Sequence, residues 1–245
     1  LSSIDVDIQC NQSVKGIYPT ESGKLRIKTD HHEFETQMVI LAVGIQPNTA
    51  FMMETGIAML SNKAIITDEK MRTSIKNLYA AGDCATVKHQ ITSQDLYIPL
   101  GTNANKQGKI LAEILAGEDK EFTTALGSTM IKIVDLEVAK TGISMQEQAS
   151  YPYPLDSVTI TGSDHAHYYP DPSNITIKLV FDKQTKVIVG AQLIGRKNVA
   201  LRLNPFVVAI SQKMTASEFG VLDFGYAPPF ASAWDVMHIA ANVIK

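Results

Sequence analysis

The sequence predicts an α/β fold over its first half and an α+β fold over its second, on three observations. Met38-Val-Ile-Leu-Ala-Val43 is an unbroken apolar run, the pattern of a strand covered on both faces. Leu78-Tyr-Ala-Ala81 is a second such strand, closed by Gly82-Asp83, with a helix-length stretch following to Leu115. After Phe122 the pattern changes to strands of alternating polarity with helices among and after them, as in an antiparallel sheet packed on helices.

Taken in order, Val14, Ile17 and Tyr18 start an extended piece, and Glu21-Ser-Gly-Lys24 is a turn. Leu25-Arg-Ile-Lys-Thr29 alternates apolar and polar residues, and Asp30 to Glu33 makes a second turn. This meander feeds the strand 38–43, which ends in Gly44-Ile-Gln-Pro-Asn48, where Pro47 stops any ladder. Ala64-Ile-Ile-Thr67 is a short strand, and Asp68 to Lys76 is polar. Beyond the strand 78–81, Tyr97 to Gly101 reads as a loop, and Thr102 or Asn103 is placed to cap a helix. Ile110, Leu111, Ile114 and Leu115 form its apolar stripe, and Gly117 sits where it should stop.

In the second half, Thr129 to Leu136, Val158 to Thr161, Ile175 to Phe181 and Val187 to Ile194 read as antiparallel strands. Asp182-Lys-Gln-Thr-Lys186 is the hairpin loop between the last two. Ser144-Met-Gln-Glu147 and Thr215-Ala-Ser-Glu218 have the hydroxyl and carboxylate spacing of capping boxes. Leu203, Phe206, Val207 and Ile210 lie at helical spacing within 199–214, where Asn204 is expected to cap a fresh helix with Pro205 at its first position. Ser232 to Ile244 is the closing helix. Phe206, Val207, Phe219, Phe224, Phe230 and Trp234 present more apolar surface than so small a layer readily hides, so a two-fold dimer through residues after Phe122 is expected.

Composition excludes several function classes. The 245 residues carry 22 basic and 25 acidic side chains, a formal charge of −3, with 45% hydrophobic and 19% charged residues. Lys and Arg form no stripe that would track a phosphate backbone, so nucleic acid is not an expected partner. The apolar run 38–43 is far too short for a bilayer, so neither is a membrane. Two cysteines, Cys10 and Cys84, make neither a disulfide framework nor a zinc site, which points to a reducing, cytoplasmic setting. Leu1 in place of an initiator Met leads us to expect residues upstream.

The string Thr73-Ser-Ile-Lys-Asn-Leu-Tyr-Ala-Ala-Gly-Asp83 carries the most chemistry. At the carboxyl edge of an α/β sheet, Gly82 lets a ligand approach the backbone and Asp83 can accept a hydrogen bond from a sugar or polyol hydroxyl. In isolation, Gly-Asp is equally a capped turn. Leu100-Gly-Thr-Asn-Ala-Asn-Lys-Gln-Gly108 opens a helix whose free amides and positive dipole end suit an electron-rich partner, or is simply a capped helix. Cys84 closes a buried strand and reads as an inert core residue. Asp164, His165 and His167 are too thin a set for a metal, and no metal site is expected. Tyr168, Tyr169 and Tyr226 can hydrogen-bond a ligand at an interface or pack there as aromatics.

With Ala42-Val-Gly-Ile-Gln-Pro-Asn48 ahead of them, these strings resemble in order and spacing the flavin-dependent pyridine nucleotide–disulfide oxidoreductases. The resemblance implies that residues 1–46 end an NAD(P)-binding domain, with Gly44 at the return to the flavin domain. It implies that 47–118 are the second segment of the FAD-binding domain and 119–245 a dimerisation domain. Asp83, with Gly82, would hold the ribityl chain of FAD, and Asn103, Ala104 and Asn105 would bring amides to the flavin ring. His165-Ala-His-Tyr-Tyr-Pro170 and Gly225-Tyr-Ala-Pro-Pro-Phe230 resemble the coenzyme A-disulfide reductase branch, although Trp234 and Pro205 depart from the usual pattern. By that resemblance the complete homodimeric enzyme would carry electrons from NAD(P)H through FAD and one cysteine to coenzyme A disulfide. Tyr226, with Tyr168 or Tyr169, would serve the other subunit's cysteine. The chain has no Gly-x-Gly-x-x-Gly and no candidate for that cysteine, so alone it is expected to be inactive. An NADH oxidase that reduces oxygen, and a dimerisation module without chemistry, are the competing readings.

Overall fold

A computed structural model of the chain describes residues 5–122 and 124–245. They divide into two compact units, the first ending at Ile45 and the second running Gln46–Lys245.

In the first unit, β1 (Val14–Pro19), β2 (Leu25–Thr29) and β3 (Glu33–Thr36) form the expected antiparallel meander. Thr29 closes the second turn, its hydroxyl accepting from the His32 amide at 3.0 Å. The run 38–43, however, is not a strand. It is irregular, and Met38, Ile40, Leu41 and Val43 are all exposed, Val43 to 90%. A strand apolar on both faces is stable only between hydrogen-bonded neighbours and beneath covering layers. Among the described residues of this unit none pairs with it.

The second unit begins irregularly. The expected strands 64–67 and 78–81 are reduced to single bridges, Ile65 to Met59 and Ala85, and Tyr79 to Arg72. The chain turns at Lys63, Met71, Asn77 and Gly82, all with positive φ, and only isolated bridges form between these turns. The apolar pattern still marks burial, since Ala64, Ile65 and Ala80 lie inside. A minimal hairpin follows, β4 (Val87–Lys88) and β5 (Asp95–Leu96), and then α1 (Gly101–Leu115). The N-cap is extended Leu100 rather than Thr102 or Asn103, because the Asn103 side chain turns back to donate to the Ile98 carbonyl at 3.2 Å. Ile110, Leu111 and Ile114 pack on Met71, Val87, Phe122 and Ala125, while Leu115, expected in the stripe, faces water.

Five antiparallel strands complete the unit: β6 (Thr129–Ile133), β7 (Leu136–Gly142), β8 (Leu155–Ser163), β9 (Asn174–Asp182) and β10 (Ile188–Gly195), in the order β6-β7-β10-β9-β8. The stretch 129–136, expected as one strand, is broken by a tight turn with Val134 at φ +58°. Along β9, Ile175, Ile177 and Leu179 are fully buried and alternate with the half-buried Thr176 and Lys178. Three helices cover this inner face: α2 (Leu203–Ser211), α3 (Ala216–Phe219) and α4 (Val236–Asn242). Helix α2 lies over β7 and β10, and α4 over β8 and β9.

Both capping boxes form. The helix expected across 199–214 is a 3₁₀ turn, Ala200–Arg202, followed by α2. Arg202 and not Asn204 precedes α2, and Pro205 occupies its first turn, where an N–H would have no intrahelical acceptor anyway. The closing helix starts only at Val236, because the Asp235 carboxylate accepts from the Met237 amide at 2.9 Å and caps it there. Phe206 and Phe219 stack at 4.7 Å inside the core, so they offer no surface to a second subunit. Of the expected interface aromatics, Phe230 and Trp234 are the exposed ones.

The end of the β7–β10 ladder depends on two facing glycines, Gly142 and Gly190. Gly142 has φ +69°, and a Cβ on Gly190 would lie 1.8 Å from the Ile143 carbonyl oxygen. Gly190→Ala should therefore destabilise the fold by about 1–3 kcal/mol or more through overpacking. Urea denaturation monitored by circular dichroism measures this, and a change within ±0.5 kcal/mol would show that the ladder end yields freely.

Candidate active site

The Gly82-Asp83 turn and the start of α1 come together in the second unit. Gly82 has φ +84°, and a Cβ there would stand 3.6 Å from the Ala104 Cβ, so the first turn of α1 lies against it. Gln107 joins the two. Its side chain is buried, accepting from the Gly82 amide at 2.7 Å and donating to the Thr86 carbonyl at 3.2 Å. Asp83 is exposed beside this junction. Burial and then the nearby Asp83 carboxylate hold the Tyr97 phenol above its ordinary range. Cys84 packs on the small core of Ile57, Ile65, Ala80 and Ala85, with Sγ 3.4 Å from the Ala81 carbonyl.

The amides of Asn103 and Ala104 both donate to the Leu100 carbonyl, at 2.9 and 3.0 Å. That of Asn105 falls within the regular helix, so Gly101 and Thr102 are the positions whose amides have no intrahelical acceptor. A carboxylate open to solvent, a Cβ-free approach at Gly82 and a free helix start make a donor and acceptor set that fits a polyol chain and an electron-rich ring edge. Gly44, at φ +91°, belongs to the first unit. A cleft of about 530 Å³ flanks the helix start, lined in part by Thr102, Lys106, Gln90, Asn204 and Ser211.

The second constellation lies in the sheet unit. Tyr168 and Tyr226 are 58 residues apart, yet their hydroxyls meet at 2.7 Å. The hydrogen bond to Tyr226, with some burial, raises the Tyr168 phenol above its ordinary value. Tyr169 is not part of this pair; its ring stands edge-on to His165, with centroids 5.8 Å apart. Two loops carry the pair. The first is pinned at its base by Asp164, which accepts from the Ser173 amide at 2.7 Å and the Asn198 side chain at 2.8 Å. His165 Nδ1 lies 2.9 Å from the same carboxylate without hydrogen-bond geometry, and its Nε2 is 3.1 Å from the Pro170 carbonyl. The second loop is stiffened by Pro228 and Pro229, and the Pro228 carbonyl accepts from the Ala166 amide at 3.3 Å.

Arg202 spans the bases of both loops. Its side chain is only 11% exposed and forms an ion pair with the buried Asp235, Nη2 to Oδ2 at 2.9 Å. Nη2 also reaches the Asp164 carbonyl at 2.6 Å and the Phe230 carbonyl at 3.0 Å, and Nη1 reaches the Asn198 carbonyl at 2.6 Å. The sequence reading missed Arg202, Asp235 and Gln107. Asp235 ahead of an apolar run had the signal of a helix cap, whereas nothing local marks Arg202 or Gln107.

The second unit thus holds two solvent-facing constellations, one at the Gly82–Gln107 junction and one at the Tyr168–Tyr226 pair. Residues 1–108 match the family model of the pyridine nucleotide-disulphide oxidoreductases and residues 129–238 that of the family's dimerisation domain. The chain belongs to the pyridine nucleotide–disulphide oxidoreductases, an FAD-dependent enzyme family, and carries its dimerisation domain.

Among curated proteins it is similar to the CoA-dependent NAD(P)H sulfur oxidoreductase of Pyrococcus furiosus, 36% identical over 90% of this chain and 50% of that protein. It is also similar to an NADH oxidase of Methanocaldococcus jannaschii, 35% identical over 88% of this chain and 48% of that protein. Among solved structures, the NAD-dependent persulfide reductase from A. fulgidus matches with a TM-score of 0.92 and 31% identity, over 99% of this chain and 45% of that one. The chain thus spans about half the length of the curated relatives it matches. No helix among the described residues is long and apolar enough to cross a membrane.

Burial raises the Asp164 carboxyl, but bonds from the Ser173 amide and Asn198, with the nearby His165, outweigh it and leave it below the ordinary carboxylate range. An unfolded Asp takes up its proton near ~4, the folded one only at lower pH. The stabilisation is therefore complete above that range and is lost as pH falls through the lowered value. Asp164→Asn should be less stable than the parent at pH 7, with the gap narrowing as the solution is acidified. Denaturant midpoints across the pH series test this, and a gap independent of pH would remove Asp164 from the acid limb.

Proposed function

We propose that the chain works as the carboxy-terminal portion of a homodimeric, FAD-dependent NAD(P)H:disulfide oxidoreductase that reduces coenzyme A disulfide or a related small sulfur substrate. The phenol pair carries this reading, since Tyr168 and Tyr226 are exposed and hydrogen-bonded on two loops braced from beneath. The coenzyme A dependence of the Pyrococcus relative supports the substrate class. Bound FAD would supply the transfer of two electrons from NAD(P)H toward the disulfide.

This chain's residues do the binding and proton handling. Asp83 would accept from a hydroxyl of the flavin's polyol chain, and Gly82 would leave room for it. The α1 start, from Gly101 to Asn105, would offer its positive end to the ring edge that becomes electron-rich on reduction. Reducing a disulfide breaks one S–S bond with two electrons and needs two protons. A phenol protonated at neutral pH donates a hydrogen bond to the departing thiolate and holds it until a proton arrives. Such charge-assisted bonds contribute ~1.5–3 kcal/mol.

Tyr226→Phe in the complete flavoprotein should therefore slow disulfide reduction by about 10- to 150-fold and leave flavin reduction by NAD(P)H nearly unchanged. Stopped-flow of the two half-reactions separates them, and an unaltered rate of disulfide reduction would leave the phenol as packing. The NADH-oxidase reading has support in the Methanocaldococcus relative. Oxygen uptake measured against free-thiol release on the complete protein decides between them.

The 245-residue chain expressed by itself should bind FAD weakly or not at all. It offers the polyol and ring contacts without a Gly-rich helix start for the pyrophosphate. A preparation that stays yellow after desalting, with one flavin per chain, would overturn this.

A further inference from the structure

We infer that Arg202 is the positioning residue that holds Tyr168 and Tyr226 together as a hydrogen-bonded pair. Its catalytic consequence rests on the disulfide-reductase reading above; the geometric claim does not. Tyr168 stands four residues after Asp164 and Tyr226 four residues before Phe230, and the Arg202 guanidinium bonds the carbonyls of both Asp164 and Phe230. Asp235 orients that guanidinium from the side, with Nε and Nη2 at 3.1 and 2.9 Å from the same carboxylate oxygen. Asp235 is itself fixed, since its other oxygen accepts from the Met237 amide as the cap of α4.

The clamp therefore ties each tyrosine loop to the helical layer at a point within a few residues of its phenol. Among the described residues, the backbone bond directly between the loops, Ala166 to Pro228, is long at 3.3 Å and neutral. The phenols are 76% and 49% exposed, so water competes for every bond they make. A surface hydroxyl pair of this kind gains too little to bring two loops together by itself. The buried fork, with fixed acceptors on both loops, is what sets their separation. Lysine would not reproduce it, because its lone ammonium has no counterpart to Nε on Asp235 or Nη1 on the Asn198 carbonyl, the contacts that fix the plane of the fork.

The test is Arg202→Lys in the complete flavoprotein, which keeps a cation facing Asp235. Tyrosines are labelled with 3-fluorotyrosine and read by fluorine NMR, with Tyr168→Phe and Tyr226→Phe assigning the two resonances. In the parent, the Tyr168 resonance should titrate at higher pH than in Tyr226→Phe. Arg202→Lys should move it to the position and titration that it has in Tyr226→Phe.

Disulfide reduction should fall about 10- to 100-fold in Arg202→Lys, the scale of a misplaced catalytic group, with flavin reduction unchanged. Adding Arg202→Lys to Tyr226→Phe should slow disulfide reduction no further, because the pair is already broken. A Tyr168 resonance in Arg202→Lys identical to the parent's overturns the proposal, as do losses that multiply in the double variant. If Arg202→Lys does not fold, Asp235→Asn keeps an oxygen for the α4 cap while removing the charge that orients the fork, and it is held to the same outcomes. The NMR arm needs no substrate. A moved resonance with normal disulfide reduction would thus count against the proposed activity and not against the clamp.

Discussion

One face of a five-stranded antiparallel sheet has to be taken out of water, and the second unit is arranged around that requirement. Ile175, Ile177 and Leu179 on β9, with Ala191 and Leu193 on β10, are fully or almost fully buried beneath Leu203, Phe206, Ala209, Val236 and Ala240 from the helices above. At ~25 cal/mol per Å² of apolar surface, this burial is the largest favourable contribution available to a domain of this size. It also decides where polar groups can go. The helices α2 and α4 start with backbone groups that have no intrahelical partner and have to be met locally. Asp235 meets those of α4, and Arg202, just ahead of α2, pairs with it.

A buried ion pair of this kind is weak support for stability, since stripping water from both charges offsets much of their attraction. Its value lies in specificity. With Asp235 and three backbone carbonyls around it, the guanidinium has one comfortable position, and the backbone of both tyrosine loops is part of that position. The junction at Gln107 follows the same logic on a smaller scale. A buried amide side chain satisfied at both ends costs little, but it permits one register between the Gly82 turn and α1. In both places a chemically inert group fixes the residues that face solvent.

This explains which features were legible in the sequence. The sheet unit was, because burial of one face imposes a period of two that β9 and β10 display residue by residue. The capping boxes at Ser144 and Thr215 were legible because their bonds are local, three residues apart. The run 38–43 has a strand's pattern without forming one, because an apolar pattern reports that cover is needed and says nothing about where it comes from. The strands expected at 64–67 and 78–81 shrink to single bridges for a different reason. Their burial was correct, but Lys63, Met71 and Asn77 take left-handed turns that none of them, Asn apart, advertises. Tyr168, Tyr169 and Tyr226 were named from short strings, while the choice of Tyr168 over Tyr169 needed the fold. Neighbours in a loop differ in direction, and only the hydroxyl contact at 2.7 Å tells them apart.

Arg202 was invisible for a more general reason. Its partners lie at Asn198, Asp164, Phe230 and Asp235, and three of the four are bonded through backbone carbonyls, whose side-chain identity the interaction never uses. No residue pattern at those positions records it. A group that binds backbone is bound to the path of the chain and not to its composition, so the information resides in the fold alone. The same property makes the clamp suited to its place. Loop residues around Tyr168 and Tyr226 can change without disturbing it, so long as the backbone returns past the same guanidinium. The exposed phenols are then free to be specified by chemistry while their separation is specified by a buried charge.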